Sequence, residues 1–461
     1  MERGTQNMTQ GSVKRVMLQF ALPVFLSQLF QQLYNTADSL IVGNLLGKEA
    51  LAAVSSSSPL LQLLTSLMIG ISMGAGVVIS RYFGAGEDES VSDAVHTTVA
   101  FGLAAGLVMT VAGVLLSPVL LKWMGTAPDV MAGSVSYFRN YFYGSVAVML
   151  YNVFTGIMNA LGDSRRPLYY LLFSSVLNVA LDIFFIAGLG MGVGSAATAT
   201  VISQVASAFL CYLHLRKPGT VYQLRVRDVR FHPALLGEVV RMGLPTGIQN
   251  SVIAIANVLV QSYINSFGAD AMAACGTYSK LEGFAFLPIT SFALALTTFV
   301  SQNLGAKEYA RAKQGARFGI VLTVVMAEVI GVALWLGAVP LVRLFNSDPN
   351  VVQIAVTRSQ IENMFFGLLA FSHAIAGVCR GAGKATVPMM VMLSVWCLLR
   401  IVYISVAMNI VHDYRVLFWG YPLTWAISSA IFLIYYLKSD WVHGFEFRSA
   451  HHRFRFHLGG H

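Results

Sequence analysis

Charge and long polar stretches are what this sequence has least of. Asp, Glu, Lys and Arg together make up 11% of its 461 residues, against roughly a quarter in soluble globular domains. Water is therefore not its main solvent. No polar segment is long enough to fold as a separate soluble domain, and the connectors are too short to carry the convergent groups a membrane-embedded enzyme needs. That argues against an enzyme and leaves no cofactor to expect. Cysteine is scarce as well. Cys211, Cys275, Cys379 and Cys397 have no ligand-like spacing and read as small apolar packing residues. The four histidines from His451 to His461 stand near Arg453 and Arg455 and read as a solvated basic end, not a metal site.

What is present is apolar length. The chain is 56% hydrophobic with a mean hydropathy of +0.66, and its apolar runs repeatedly reach the roughly 20 residues that cross a hydrocarbon core. Spans are expected at 16–44, 51–83, 94–116, 134–161, 168–189, 194–215, 237–266, 274–305, 316–338, 355–380, 388–410 and 416–437. The first run, from Val16 to Asn44, has no cleavage-like end and reads as a span, not a signal peptide. The fold class is thus an all-α integral membrane protein of twelve helices. The formal net charge of +9 would suit nucleic acid, but most Lys and Arg residues fall in alternate connectors, among them Arg165, Arg166, Arg216, Lys217, Arg225, Arg227, Arg230, Arg311, Lys313, Arg380 and Lys384. This positive-inside pattern expects both termini in the cytoplasm, the lipid bilayer as partner and no nucleic acid.

The chain repeats itself. Ser80-Arg81-Tyr82-Phe83-Gly84-Ala85 returns as Ser301-Gln302-Asn303-Leu304-Gly305-Ala306, Gly162 and Pro167 return as Gly383 and Pro388, and Gly47 returns as Gly268, all at an offset of 221. Pro23 maps onto Pro245 in similar Leu-Pro contexts. Six spans per repeat is an even number, so the repeats are parallel and suit rocking about a central cleft. The expected organisation is an N-terminal lobe over 1–215, a cytoplasmic linker over 216–236 rich in arginine, and a C-terminal lobe over 237–461 with a basic cytoplasmic tail. Pro23 and Pro245 are placed to bend the first helix of each lobe, and Gly70, Gly74 and Gly76 to allow close helix packing.

Carboxylates inside apolar spans are costly and call for a partner or a function. Asp182 has Asn178 one turn earlier on its helix face, while Asp38 follows Tyr34 by one turn and Gln31 by two. At 1.5 Å per residue, Asp38, Asp182 and Thr200 lie roughly 9 to 14 Å below the outer surface, and Asn152 lies near the midplane. Oxygen groups from four helices at similar depth would converge on one hard monovalent cation or share a proton. A purely structural polar cluster is the competing account. The second repeat lacks the set, since Asn178 maps to Leu399, Asp182 to Tyr403 and Asn152 to His373. Glu282, Glu328 and Arg400 take its place, with Glu328 and Arg400 expected as a buried ion pair.

The two-lobe plan, the Asn-Thr-Ala-Asp38 segment, the Gly162-Asp-Ser-Arg-Arg-Pro167 turn, Asn178-Val-Ala-Leu-Asp182 and Ala199-Thr200 together resemble the MATE family of multidrug and toxic compound extrusion transporters, in its DinF-like branch. The resemblance covers nearly the whole chain. It implies export of bulky, often cationic or aromatic small molecules across the cell (inner) membrane in exchange for H⁺ or Na⁺. It further implies a cation-coupling site of Asp38, Asn178, Asp182 and Thr200, with Tyr34 and Asn152 beside it, and Gln31 facing the substrate cavity. Gln249, where the NorM-like branch carries an acidic residue on helix 7, is expected with His373 and Glu282 to line the substrate cavity, and its lack of charge favours coupling through the N-terminal lobe. A lipid-linked precursor flippase of the wider superfamily is the alternative, but a pyrophosphate calls for a cationic cavity and the intramembrane charges here are mostly acidic. A channel fits the parallel repeat less well than rocking.

Overall fold

A computed structural model describes residues 7–123 and 125–443; the histidine-rich tail lies outside them. Backbone N–H and C=O groups in hydrocarbon have no water to bond, so a spanning segment must satisfy them internally. Each apolar run accordingly becomes a helix, and the described residues contain no strand. The spans are α1 Val13–Leu46, α2 Lys48–Ala85, α3 Asp88–Trp123, α4 in two pieces, Met131–Tyr143 and Ser145–Ala160, α5 Arg165–Gly188 and α6 Gly194–Leu215. The second repeat supplies α7 Pro233–Asn265, α8 Ala269–Gly305, α9 Tyr309–Leu336, α10 Pro349–Gly381, α11 Thr386–Ile410 and α12 Tyr414–Lys438.

Four spans depart from regular α-helix. The two pieces of α4 meet at 52°, across Gly144, where a Cβ would come within 2.3 Å of Val201 on α6. The last part of α5, Ile183–Gly188, and the middle of α11, Leu393–Leu399, are π-helical. The first π segment begins directly after Asp182 and the second ends directly before Arg400, in keeping with the tendency of π turns to occur beside functional side chains. A 3₁₀ turn at Asn363–Phe365 interrupts α10. Beyond it the Gly367 N–H donates to the Glu328 carboxylate at 2.8 Å. That bond corrects the expected Glu328–Arg400 pair, because Arg400 instead gives two hydrogen bonds to the Thr424 hydroxyl, at 3.1 and 2.7 Å.

The repeat is written in the backbone as well as in the side chains. Gly47 and Gly268 take φ of 88° and 95° where α2 and α8 begin, a left-handed conformation that glycine adopts without a Cβ clash. Gly86 has φ 71°, and its counterpart 221 residues on is Lys307 with φ 59°. The turn is kept although its glycine is not.

The chain divides into two compact units with joins at Ala21/Leu22 and Leu244/Pro245. One unit holds Leu22–Leu244, and the other joins Met8–Ala21 to the chain from Pro245 onward. Within the first, the connector after α6 is folded onto the bundle and the opening turns of α7 pack in: Glu238 accepts the Tyr82 hydroxyl at 2.7 Å. A Cβ on Gly74 would lie 2.1 Å from the Gly243 nitrogen, so α2 meets α7 backbone to backbone, the small-residue packing that membrane helices favour. Within the second, the Met8 N–H donates to Gln302 Oε1 at 2.9 Å. Arg311 donates to the carbonyls of Met8, Gln10 and Gly11.

Candidate coupling site

In the first unit α5 turns Asn178 and Asp182 to the same buried face, as a spacing of four residues requires. Asp38 and Asp182, 8% and 0% exposed, stand close enough for their carboxyls to act on one another electrostatically. Asn178 satisfies its neighbours when its amide nitrogen faces Asp182. It then donates to Asp182 Oδ2 at 3.1 Å and its oxygen accepts from Thr200 Oγ1 at 3.2 Å. The Tyr34 side chain lies beside Thr200. The result is a chain of oxygen and amide groups from three helices, Tyr34, Thr200, Asn178, Asp182 and Asp38, in which Oδ1 of each carboxylate has no hydrogen-bond partner. Orphaned buried oxygens call for an explanation, and a shared proton or an oxygen-coordinated monovalent cation supplies one. Among the described residues no group of three or more His, Cys, Asp or Glu side chains forms a divalent-metal cluster.

Tyr137 of α4, which sequence reading did not single out, interacts electrostatically with both carboxylates and with Tyr34. Nothing in the sequence sets it apart from the other aromatic residues of that helix. Asn152 is outside the chain of hydrogen bonds. It donates to its own helix at Val148 O, 2.9 Å, and with Tyr141 lines a cavity of about 20 Å³, room for one water. Gln31 lies exposed on α1.

The second unit holds a different set. Gln249 is buried, its Nε2 on Met392 Sδ at 2.7 Å and its Oε1 unpartnered. His373 sits edge-on between Phe286 and Trp396, with ring centroids 4.9 and 5.3 Å away. Glu282 is half-buried on α8. Below the 3₁₀ turn of α10, Arg358 pairs with Glu362 at 2.8 Å and its guanidinium stacks on Tyr278 and Tyr421 at 4.5 and 5.1 Å. This pair went unread in the sequence, although Arg and Glu at i and i+4 are a recognised helical signal.

A helical bundle of this span count with carboxylates buried inside its spans has the pattern of a polytopic membrane transporter. Comparison with known proteins narrows the class. The MatE family profile matches twice, over residues 23–184 and 245–406, one match per repeat, beginning on Pro23, one residue past the Ala21/Leu22 join, and on Pro245, at the second join. The chain is 30% identical over 444 residues to the probable multidrug resistance protein YoeA of Bacillus subtilis, covering 94% of this chain and 95% of that protein. It is 26% identical to the probable multidrug resistance protein NorM of Thermotoga maritima, covering 83% of each, and 24% identical to an FAD transporter of Shewanella oneidensis, covering 74% and 76%. A crystal structure of MATE in the bent conformation superposes with a TM-score of 0.88 at 22% identity, over 94% of this chain and 97% of that one. The protein belongs to the MATE family of transporters.

Proposed function

We infer that this protein is a secondary active exporter of bulky, often cationic or aromatic compounds, driven by entry of H⁺ or Na⁺ at the Asp38–Asp182 site. The observation that carries this reading is the buried carboxyl pair with an orphaned oxygen on each member, held by Asn178 and Thr200. The names of the relatives, multidrug resistance proteins in two of the three cases above, support the substrate class. Two carboxylates in so poorly solvated a pocket cannot both carry charge cheaply, so either a proton on one or a cation between them relieves the cost. Asn178 holds Asp182 in place, Thr200 fixes the amide, Tyr34 stands beside Thr200, and Asp38 completes the pair. A coupling ion drives export only if it binds one conformation of the transporter better than another. The parallel repeat suits alternating access by rocking, and both termini are assigned to the cytoplasmic side by the Lys and Arg asymmetry.

Dye efflux in everted vesicles tests this, with a proton gradient and a sodium gradient imposed separately. The expected result is accumulation under one gradient and its collapse with the matching ionophore. Accumulation that needs nucleotide hydrolysis, or that ignores both gradients, overturns the proposal.

A further inference from the structure

The connector between α6 and α7 is more ordered than a linker needs to be. Its Leu224 N–H folds back to the carbonyl of Leu215, the last residue of α6, at 2.7 Å, which places the connector level with the end of a membrane span. Tyr222 and Leu224 are buried. The next residues form a tip held at both ends. The Arg225 N–H donates to His96 Nε2 at 3.0 Å, and the His232 N–H donates to Thr97 Oγ1 at 3.2 Å. Both anchors are buried on α3. His96 accepts through Nε2, so its proton is on Nδ1 and is given to the Ser92 carbonyl at 2.7 Å.

The tip between the anchors presents large apolar side chains to the outside: Val226 is 68% exposed and Phe231 48%. Arg225, Arg227 and Arg230 are interleaved with them and exposed. Arg225 donates to the neutral Gln223 and Arg230 faces His232. None of the three guanidinium groups has a carboxylate partner among the described residues. Asp228 is the single acid between Arg216 and His232, against Arg216, Lys217 and these three arginines. A tip anchored through its backbone and exposing aromatic and aliphatic side chains among unpaired cations, at the level where a span leaves the bilayer, has the composition of an interfacial lipid contact.

We propose that the Arg225–Phe231 tip docks into the adjacent bilayer surface, with Val226 and Phe231 in the headgroup boundary and Arg225, Arg227 and Arg230 on the phosphates of anionic phospholipids. The charge complementarity favours a lipid surface rich in phosphatidylglycerol over a zwitterionic one. An acidic protein segment would suit the arginines but would leave Val226 and Phe231 without a purpose.

The test uses the full-length protein carrying a spin label at Val226→Cys, reconstituted alone into bilayers of phosphatidylcholine with or without phosphatidylglycerol. The native cysteines are all buried and leave the label selective. Oxygen and nickel-chelate accessibilities then report the ratio of immersed to aqueous label. At about fivefold per basic residue near an anionic surface, the expected ratio is roughly tenfold or more higher with phosphatidylglycerol. The difference should vanish in 1 M salt, where the screening length is about 3 Å, and in the combined variant Arg225→Gln, Arg227→Gln, Arg230→Gln. Both anchors are backbone N–H groups and survive those changes, and elution volume and thermal unfolding confirm an intact fold. A label that is aqueous in both bilayers, or immersion that persists in the triple variant, overturns the proposal.

Discussion

Replacing Asp182 by asparagine separates coupling from folding. Asp182 Oδ2 accepts from the Asn178 amide at 3.1 Å and Oδ1 has no hydrogen-bond partner. In Asp182→Asn the new amide oxygen can keep the Asn178 bond, while the new NH₂ group stands toward Asp38, where a donor is welcome. A neutral hydrogen bond is worth about 0.5–1.5 kcal/mol, so one kept and one exchanged should change stability by no more than about 1 kcal/mol. Asp182→Leu has no such rescue. It leaves the Asn178 donor buried without an acceptor, a cost of about 1–3 kcal/mol, and should unfold at visibly lower temperature. Both variants should lose gradient-driven efflux, falling to the rate seen with no gradient imposed. Asp38→Asn should do the same, and the double variant Asp38→Asn, Asp182→Asn should be no worse than either single one, because groups acting as a unit are not additive. Everted-vesicle efflux and thermal unfolding in detergent, run on the same preparations, give both readouts. Wild-type efflux in Asp182→Asn under both gradients would refute the reasoning. Efflux losses that multiply in the double variant would show two separate roles instead of one pair.

Gly74→Ala places a methyl group 2.1 Å from the Gly243 nitrogen, with backbone on the far side, so a loss of about 1–3 kcal/mol or more is expected by thermal unfolding. Lys307→Gly should raise stability by up to about 1 kcal/mol, since a left-handed φ costs a non-glycine residue about 1–2 kcal/mol and glycine's extra chain entropy offsets part of the gain. Truncating either Arg358 or Glu362 to alanine should cost about 3–5 kcal/mol by stranding a buried charge. The joint change Arg358→Met, Glu362→Leu should cost far less, as a double-mutant cycle would register. A maleimide should label Met191→Cys only from outside and Arg227→Cys only from inside, and the opposite pattern would reverse the assigned topology.

The spans were legible because hydropathy fixes them, and their bounds shift mainly where helices run on past the apolar stretch, as α3 does from Asp88 to Trp123. Depth counting placed Asp38, Asp182 and Thr200 at one level with Asn178 a turn deeper beside Asp182, and the structure brings those four together. It failed for Asn152, because a side chain at the right depth can still turn back onto its own carbonyls. Arg400 was misread for a related reason. Depth brought Glu328 near it, but the 3₁₀ break in α10 freed a backbone donor that claimed the carboxylate first. No residue pattern discloses that Lys307 keeps a glycine's backbone conformation, nor that the compact units divide at Ala21/Leu22 and Leu244/Pro245, beside the prolines, since both depend on contacts between distant segments.

The grouping of Met8–Ala21 with the second repeat sets an order of events during synthesis. Its hydrogen-bond partners Gln302 and Arg311 lie about 300 residues downstream. At 5–20 residues per second the ribosome reaches them roughly 15 to 60 s later. Through that interval the start of the first helix is made but has no final place, and the insertion machinery or the lipid must shelter it. A chain released after the first repeat would stay incomplete at that end.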